Sequence, residues 1–254
     1  MAFFRFTLPS ERLRFPVEMC VYLPDEEGEL SVLWLLHGAN SECMEWFTQT
    51  SLQRYLAGRR LAVITVSVHN GFYVNMQYGA PYADYMEQEW VSSVRRLFPC
   101  LPCERGRNFL AGASMGGFGA LRLAVNRPSL FSKVGSFAGS IEMPTIVERY
   151  QRGIQPGGED FVWAFGDYEN MILNSNDVIY MAQQCVREGR MPQVCLICGT
   201  QDFGYALNMM ARDDLRLAGA DVVWRETEGI HSFDCWDAQL PFFLDWLEEK
   251  GVWA

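Results

Sequence analysis

The run "NFLAGASMGGFGALRLAV", residues 108–125, decides how the chain is read. Its first part, "NFLAGA", is short and apolar, as in a buried strand, and "FGALRLAV" has helical spacing. Between them, glycines crowd Ser114. A strand that reverses sharply into a helix strains the residue at the bend, and small neighbours let the two elements approach. Such a turn lifts the serine hydroxyl above the sheet and points the amides of the next helix towards it. An ordinary glycine-rich turn has the same composition, so the role of Ser114 depends on what else the chain supplies.

The 254 residues carry no Pro-, Ser- or charge-rich linker, which predicts one domain over 1–254. With 49% hydrophobic and 20% charged residues the chain reads as globular rather than disordered or fibrous. A net charge of −10 argues against nucleic acid and anionic lipid as partners. No apolar run has membrane-spanning length, and "MAFFRFTLPSERLRF" lacks the pattern of a secretory signal, so the expectation is a cytoplasmic protein that binds no membrane. Among eight cysteines, Cys100/Cys103 and Cys195/Cys198 have Cys-x-x-Cys spacing, which raises zinc. In "QVCLICGT", however, strand alternation sends residues three apart to opposite faces, and buried reduced thiols are the expectation, with no metal.

Periodicity organises the rest. "FRFTLPS" and "FPVEMCVYLPD" read as an antiparallel edge. From Ser31 onward, "VLWLLHG", "LAVITVSV", "NFLAGA", "KVGSFAGS", "QVCLICGT" and "DVVWRETEG" read as strands buried on both faces. Helical spacing marks residues 82–98, where Tyr82, Met86, Trp90, Val94 and Phe98 recur every four, and residues 205–219, where Gly219 suits the position past the end. The alternation predicts an α/β fold, a mostly parallel sheet with helices on both faces and ligands at the carboxyl ends of the strands. Residues 141–180 lack strand periodicity and read as a cap-like insertion over that edge.

A serine nucleophile needs a base, and the chain has three histidines. His37 ends the strand "VLWLLHG" and reads as a packed loop histidine. His69 has no chemistry beside it. His231, on the loop after the last strand, remains as the base. Asp202 in "ICGTQDF" follows the preceding strand and is the favoured acid, against Glu226, Glu228, Asp234 and Asp237. The resulting order is serine, acid, histidine. An oxyanion needs two donors, and the backbone amides of Met115 and Ala39 are placed to supply them. Phe72, Tyr73, Trp163, Phe165 and Tyr168 are candidates for a substrate pocket or for the core.

With "LLHGAN", "NGFYVNMQYG", "GASMGGFGALRLA", "SFAGS", "CGTQDF" and "GIHSFDCWDAQL" together, the sequence resembles the esterase D and tributyrin esterase group of α/β-hydrolases, the tributyrin esterases above all. That resemblance implies the α/β-hydrolase fold, Ser114, Asp202 and His231 as triad, Ala39 and Met115 as amide donors, no cofactor, and homo-oligomers. It departs at Ala113, where leucine is frequent, and at Ser41, where a longer glycine-bearing loop is usual. The expected activity is serine carboxylic-ester hydrolysis of small-molecule substrates through an acyl-enzyme, from acetyl to butyryl and aromatic (feruloyl) esters. S-formylglutathione thioester hydrolysis and a catalytically silent binding protein on the same fold are the alternatives.

Overall fold

Uninterrupted apolar runs become central strands here because both of their faces are covered. The computed structural model describes residues 1–154, 159–166 and 174–248. Among the described residues eight strands form one sheet: β1 (Ala2–Pro9), β2 (Pro16–Leu23), β3 (Ser31–Leu36), β4 (Leu61–Val66), β5 (Asn108–Ala113), β6 (Lys133–Phe137), β7 (Gln193–Gly199) and β8 (Val222–Thr227). Their order is β1-β2-β4-β3-β5-β6-β7-β8. β1 and β2 pair antiparallel, β2 meets β4 antiparallel, and every pair from β4 to β8 is parallel. This is the α/β-hydrolase fold with the expected antiparallel edge.

Within β3, Val32, Trp34 and Leu36 enter one core while Leu33 and Leu35 enter the other. β4 divides the same way, Ala62, Ile64 and Val66 against Leu61 and Val63. Period-two alternation across a sheet with two covered faces produces this division. Each buried Val, Leu or Ile contributes about 1.5–3 kcal/mol, so a charge placed at Leu33 or Leu35 would unfold the centre. One face carries α1 (Glu45–Gln49), α2 (Leu52–Tyr55) and α10 (Phe233–Glu248); the other carries α3 (Tyr82–Tyr85), α4 (Val91–Leu97), α5 (Met115–Asn126), α6 (Met143–Gln151), α7 (Asp160–Phe165), α8 (Val178–Arg187) and α9 (Tyr205–Leu217). No described helix is long and apolar enough to cross a membrane.

Two elements differ from their sequence reading. The helix over 82–98 is α3 and α4 joined through a π-helical turn, Met86–Trp90. Apolar residues spaced strictly by four drift about 40° per step around an α-helix, and the wider π turn absorbs part of that drift, so that Tyr82, Met86, Trp90 and Val94 are all buried. The second difference is β8, which is only partly buried and exposes Arg225 and Glu226. Among the described residues it ends the sheet and has a strand neighbour on one side only, and charges suit such an edge. Residues 141–180 contain no strand among the described residues but supply α6, α7 and the start of α8.

Candidate active site

From β3 the chain winds to β4 on one side, then returns to place β5 on the other side of β3. Loops leaving β3 and β5 therefore diverge and open a crevice at their carboxyl ends. Ser114 stands there, between β5 and α5, with φ 54° and ψ −117°. The glycines account for the turn. A Cβ on Gly112 would collide with the Gly116 carbonyl, and one on Gly116 would lie 2.6 Å from the carbonyl oxygens of both Leu36 and His37. The start of α5 thus rests directly against the end of β3. Ser114 is held from both sides: its N–H donates to the Phe137 carbonyl at 2.9 Å, and its carbonyl accepts from Gly117, Phe118 and Ser140 at 3.0–3.2 Å. Strained backbone persists only where surroundings over-determine it. Asn40, His69, Phe72, Tyr73 and Ala138, all just past the carboxyl ends of β3, β4 and β6, share positive φ with Ser114.

Because β7 and β8 are parallel neighbours, the loops that follow them emerge side by side. They carry Asp202 and His231, and His231 Nδ1 donates to Asp202 Oδ2 at 2.7 Å. A carboxylate only accepts, so Nδ1 carries a proton, and in the neutral ring it is Nε2 that has the lone pair. Asp202 Oδ1 accepts from the Gly204 N–H at 2.7 Å, and its side chain has no solvent exposure. Phe203 lies against the His231 ring at 4.4 Å and Trp236 meets it edge-on at 5.0 Å. Neither Ser114 Oγ nor His231 Nε2 is hydrogen-bonded to any described residue. Ser114 and Phe203 line the same cleft. The competing acids are engaged elsewhere or exposed. Glu226 accepts from the Tyr205 hydroxyl and Trp224 Nε1, Asp237 accepts from the Ser51 N–H, and Glu228 and Asp234 face solvent.

The loop after β3 shows which amides are spoken for. Gly38 N–H donates to Glu45 Oε2 at 2.8 Å, and Asn40 N–H donates to Asn70 Oδ1 at 2.6 Å. Ala39 N–H, between them, has no acceptor among the described residues. Met115 N–H opens α5, and a first helical amide has no acceptor within its helix. Ala39, Ser114 and Met115 line one cleft. His37 is the loop's bracket: Nε2 accepts from Val68 N–H at 3.0 Å, Nδ1 donates to the Gly38 carbonyl at 2.6 Å, and the Tyr73 hydroxyl donates to the His37 carbonyl at 2.9 Å. Burial lowers its pKa to about 4, which keeps the ring neutral. Burial also raises the Glu45 carboxyl above its ordinary value. His69 is exposed.

The cleft has a volume of about 580 Å³ and walls from Phe72, Ile146, Ile154, Phe161, Phe203 and Leu207, with Arg149 and Asn208 as its larger polar side chains. Three of the aromatic candidates lie elsewhere. Tyr73 is 1% exposed and packs under α5 against Gly119. Phe165 is buried behind the wall, with its ring 5.3 Å from Phe72 and 5.9 Å from Phe118. Trp163 is 48% exposed and does not line the cleft. Tyr168 lies outside the described residues. Phe161, Phe203, Ile146 and Arg149 went unnoticed in the sequence. Only Phe203, beside the acid, had a positional signal.

Cys100 and Cys103 are exposed and Cys195 and Cys198 are buried. Burial pushes the Cys195 thiol up to about 12. Among the described residues, the group of ligand atoms close enough for a metal is Glu18, Glu42 and Cys43, which includes neither Cys-x-x-Cys pair.

Comparison with known proteins gives the chain a family. The family model described as "Putative esterase" matches residues 10–247. An acetyl esterase of Caldicellulosiruptor saccharolyticus is 26% identical over 228 residues, 88% of this chain and 85% of the relative. A fluorophosphonate-binding serine hydrolase of Staphylococcus aureus, solved with substrate bound, superposes with a TM-score of 0.85 at 25% identity, over 98% of this chain and 99% of its own. An S-formylglutathione hydrolase from the same organism, solved as the apoenzyme, gives 0.84 at 25% identity over 97% and 98%. The chain belongs to this esterase family and is an ester-hydrolysing enzyme of the serine hydrolase kind.

Proposed function

We propose that the chain is a carboxylesterase for small acyl esters that works through an acyl-enzyme on Ser114. The observation that carries this reading is the unclaimed amide of Ala39, flanked by two engaged ones, on a residue that lines the same cleft as Ser114 and Met115. His231 Nε2 takes the hydroxyl proton as Ser114 attacks the ester carbonyl. Asp202 holds the ring in the Nδ1–H tautomer and stabilises the imidazolium. The new oxyanion is bound by the amides of Ala39 and Met115. His231 then protonates the leaving alcohol, and water repeats the sequence on the acyl-enzyme.

Acetyl to butyryl groups are the proposed acyl range, supported by the apolar walls of the cleft and by the acetyl esterase relative. A fluorophosphonate probe tests the chemistry: one addition, mapped to Ser114, is expected, and Ser114→Ala should lower ester turnover by about 10⁴-fold or more while the fold persists. Labelling at another residue, or turnover retained in Ser114→Ala, excludes the mechanism. Aromatic oxygen esters and S-formylglutathione belong in the same substrate panel, and a kcat/KM higher on the thioester than on every oxygen ester would reassign the substrate class.

A further inference from the structure

One pair of cysteines is close to bonding distance. Cys20 Sγ lies 3.6 Å from Cys43 Sγ and 3.2 Å from Met44 Sδ. A disulfide bond is about 2.05 Å long, so the two thiols stand roughly 1.5 Å short of one. Their settings are unequal. Cys20 is in the middle of β2, paired with Arg5 on β1 and Thr65 on β4, and cannot shift without disturbing two strand ladders. Cys43 lies in the turn between β3 and α1, where its N–H donates to Ser67 Oγ at 2.9 Å. It is four residues downstream of Ala39.

Both thiols are buried. Arg5 shares a sheet face with Cys20, because cross-strand partners do. Its half-exposed guanidinium pairs with Glu18 at 2.7 Å and Glu42 at 3.0 Å. The ion cluster lies beside the dithiol, with a carboxylate oxygen of Glu18 and of Glu42 within 4.8 Å of Cys43 Sγ.

We propose that Cys20 and Cys43 form a reversible dithiol–disulfide site, closed by hydrogen peroxide, whose closure draws the loop carrying Ala39 towards β2. Cys20 is the attacking thiol. Its contact with Cys43 lowers its pKa against the opposing effect of burial, with Thr65 and Arg5 helping and Glu18 opposing, whereas that same contact and burial push Cys43 up. The Cys20 thiolate attacks one peroxide oxygen; an S–O bond forms, the O–O bond breaks, and the departing hydroxide takes a proton to become water. Cys43 sulfur then attacks the Cys20 sulfenic acid, forming the S–S bond and breaking S–O. The second oxygen leaves as water with the remaining thiol proton. Two thiols lose two electrons and one peroxide gains them.

Only the effect on turnover rests on the assignment of Ala39 as an oxyanion donor; the chemical step does not. The test uses the full chain with Cys100→Ser and Cys103→Ser, which removes the exposed thiols. After peroxide treatment, alkylation and digestion without reductant, mass spectrometry should find the peptides of Cys20 and Cys43 joined, lighter by two hydrogens and separated by dithiothreitol. In Cys43→Ser the link should vanish and Cys20 should become trappable by dimedone. If closure shifts Ala39 by about an ångström, kcat on a short acyl ester should fall by at least about tenfold and recover on reduction, with Cys43→Ser resistant. Cys20 and Cys43 fully alkylated after peroxide would overturn the site. A complete link with kcat unchanged, in an enzyme that fluorophosphonate still labels at Ser114, would overturn the coupling to the loop.

Discussion

Replacing Gly116 by alanine probes the contact on which the elbow rests. The added Cβ would lie 2.6 Å from the carbonyl oxygens of Leu36 and His37, against an ordinary contact of at least 3.4 Å. The shortfall is 3.4 − 2.6 = 0.8 Å at each of two atoms. Both belong to backbone at the end of β3, which β4 and β5 hold on either side, so neither can rotate away. Overpacking costs about 1–3 kcal/mol, and two immovable partners put this site near the upper end. Alanine recovers about 1 kcal/mol through helix propensity. The net loss is about 2 kcal/mol, which for a domain of this size lowers Tm by roughly 4–8 °C in a thermal melt. Activity should suffer more than stability. Relief of the overlap parts the end of β3 from the start of α5, and with them the amides of Ala39 and Met115. Removal of one such donor costs about 10²–10³ in kcat, so a fall of about 100-fold with little change in KM is expected. A Tm equal to or above wild type together with kcat within twofold would show that the close approach constrains neither fold nor chemistry.

Asp202→Asn should lower kcat by about 10³–10⁴ with the fold intact, because an amide in place of the carboxylate disturbs both the tautomer and the charge of His231; full activity in steady-state assays would place the acid elsewhere. Phe161→Ala should move the acyl-length optimum of p-nitrophenyl esters to longer chains, whereas Trp163→Ala, outside the cleft, should leave it in place. Glu142 gives a pH test. Burial, with the charges of Asp214 and Asp177, raises its carboxyl to about 7, and Oε1 finds no partner among the described residues. Below about 4.5 the group is protonated in both folded and unfolded chains; as pH rises through 7 the unfolded chain has released its proton earlier, so stability falls by up to about 3 kcal/mol. Glu142→Gln should therefore raise Tm at pH 8 relative to wild type more than at pH 4.5, and an equal shift at both would remove ionisation as the cause.

The sheet was legible because its strands alternate between two covered faces, so that runs such as "VLWLLHG" and "LAVITVSV" contain no Asp, Glu, Lys or Arg to confuse the reading. The turn at Ser114 was legible because glycine is required where backbone meets backbone. Chain order alone brought Asp202 and His231 to adjacent loops, where they hydrogen-bond. The cleft walls were not legible. α7 has six residues, too few to display a period, and Phe161 and Trp163, two apart, point to different sides of it. One faces the cleft and the other faces solvent. Tyr73 follows Phe72 directly, and positive φ at both turns one ring to the cleft and the other under α5. Aromatic clustering along the chain therefore said little about which rings share a cavity. The half-exposed β8 escaped because composition does not tell which strand ends a sheet.

The cleft draws its parts from two sources. The groups proposed for chemistry hang from strand ends scattered between residues 39 and 231, each fixed by its own ladder or bracket. Ile146, Arg149, Ile154 and Phe161 come from one part of the sequence that holds no strand among its described residues. Exchanging that stretch between relatives would recut the cleft wall and leave the groups proposed for chemistry standing. Selection can thus explore new esters through short local insertions and replacements, without renegotiating the geometry that breaks the bond.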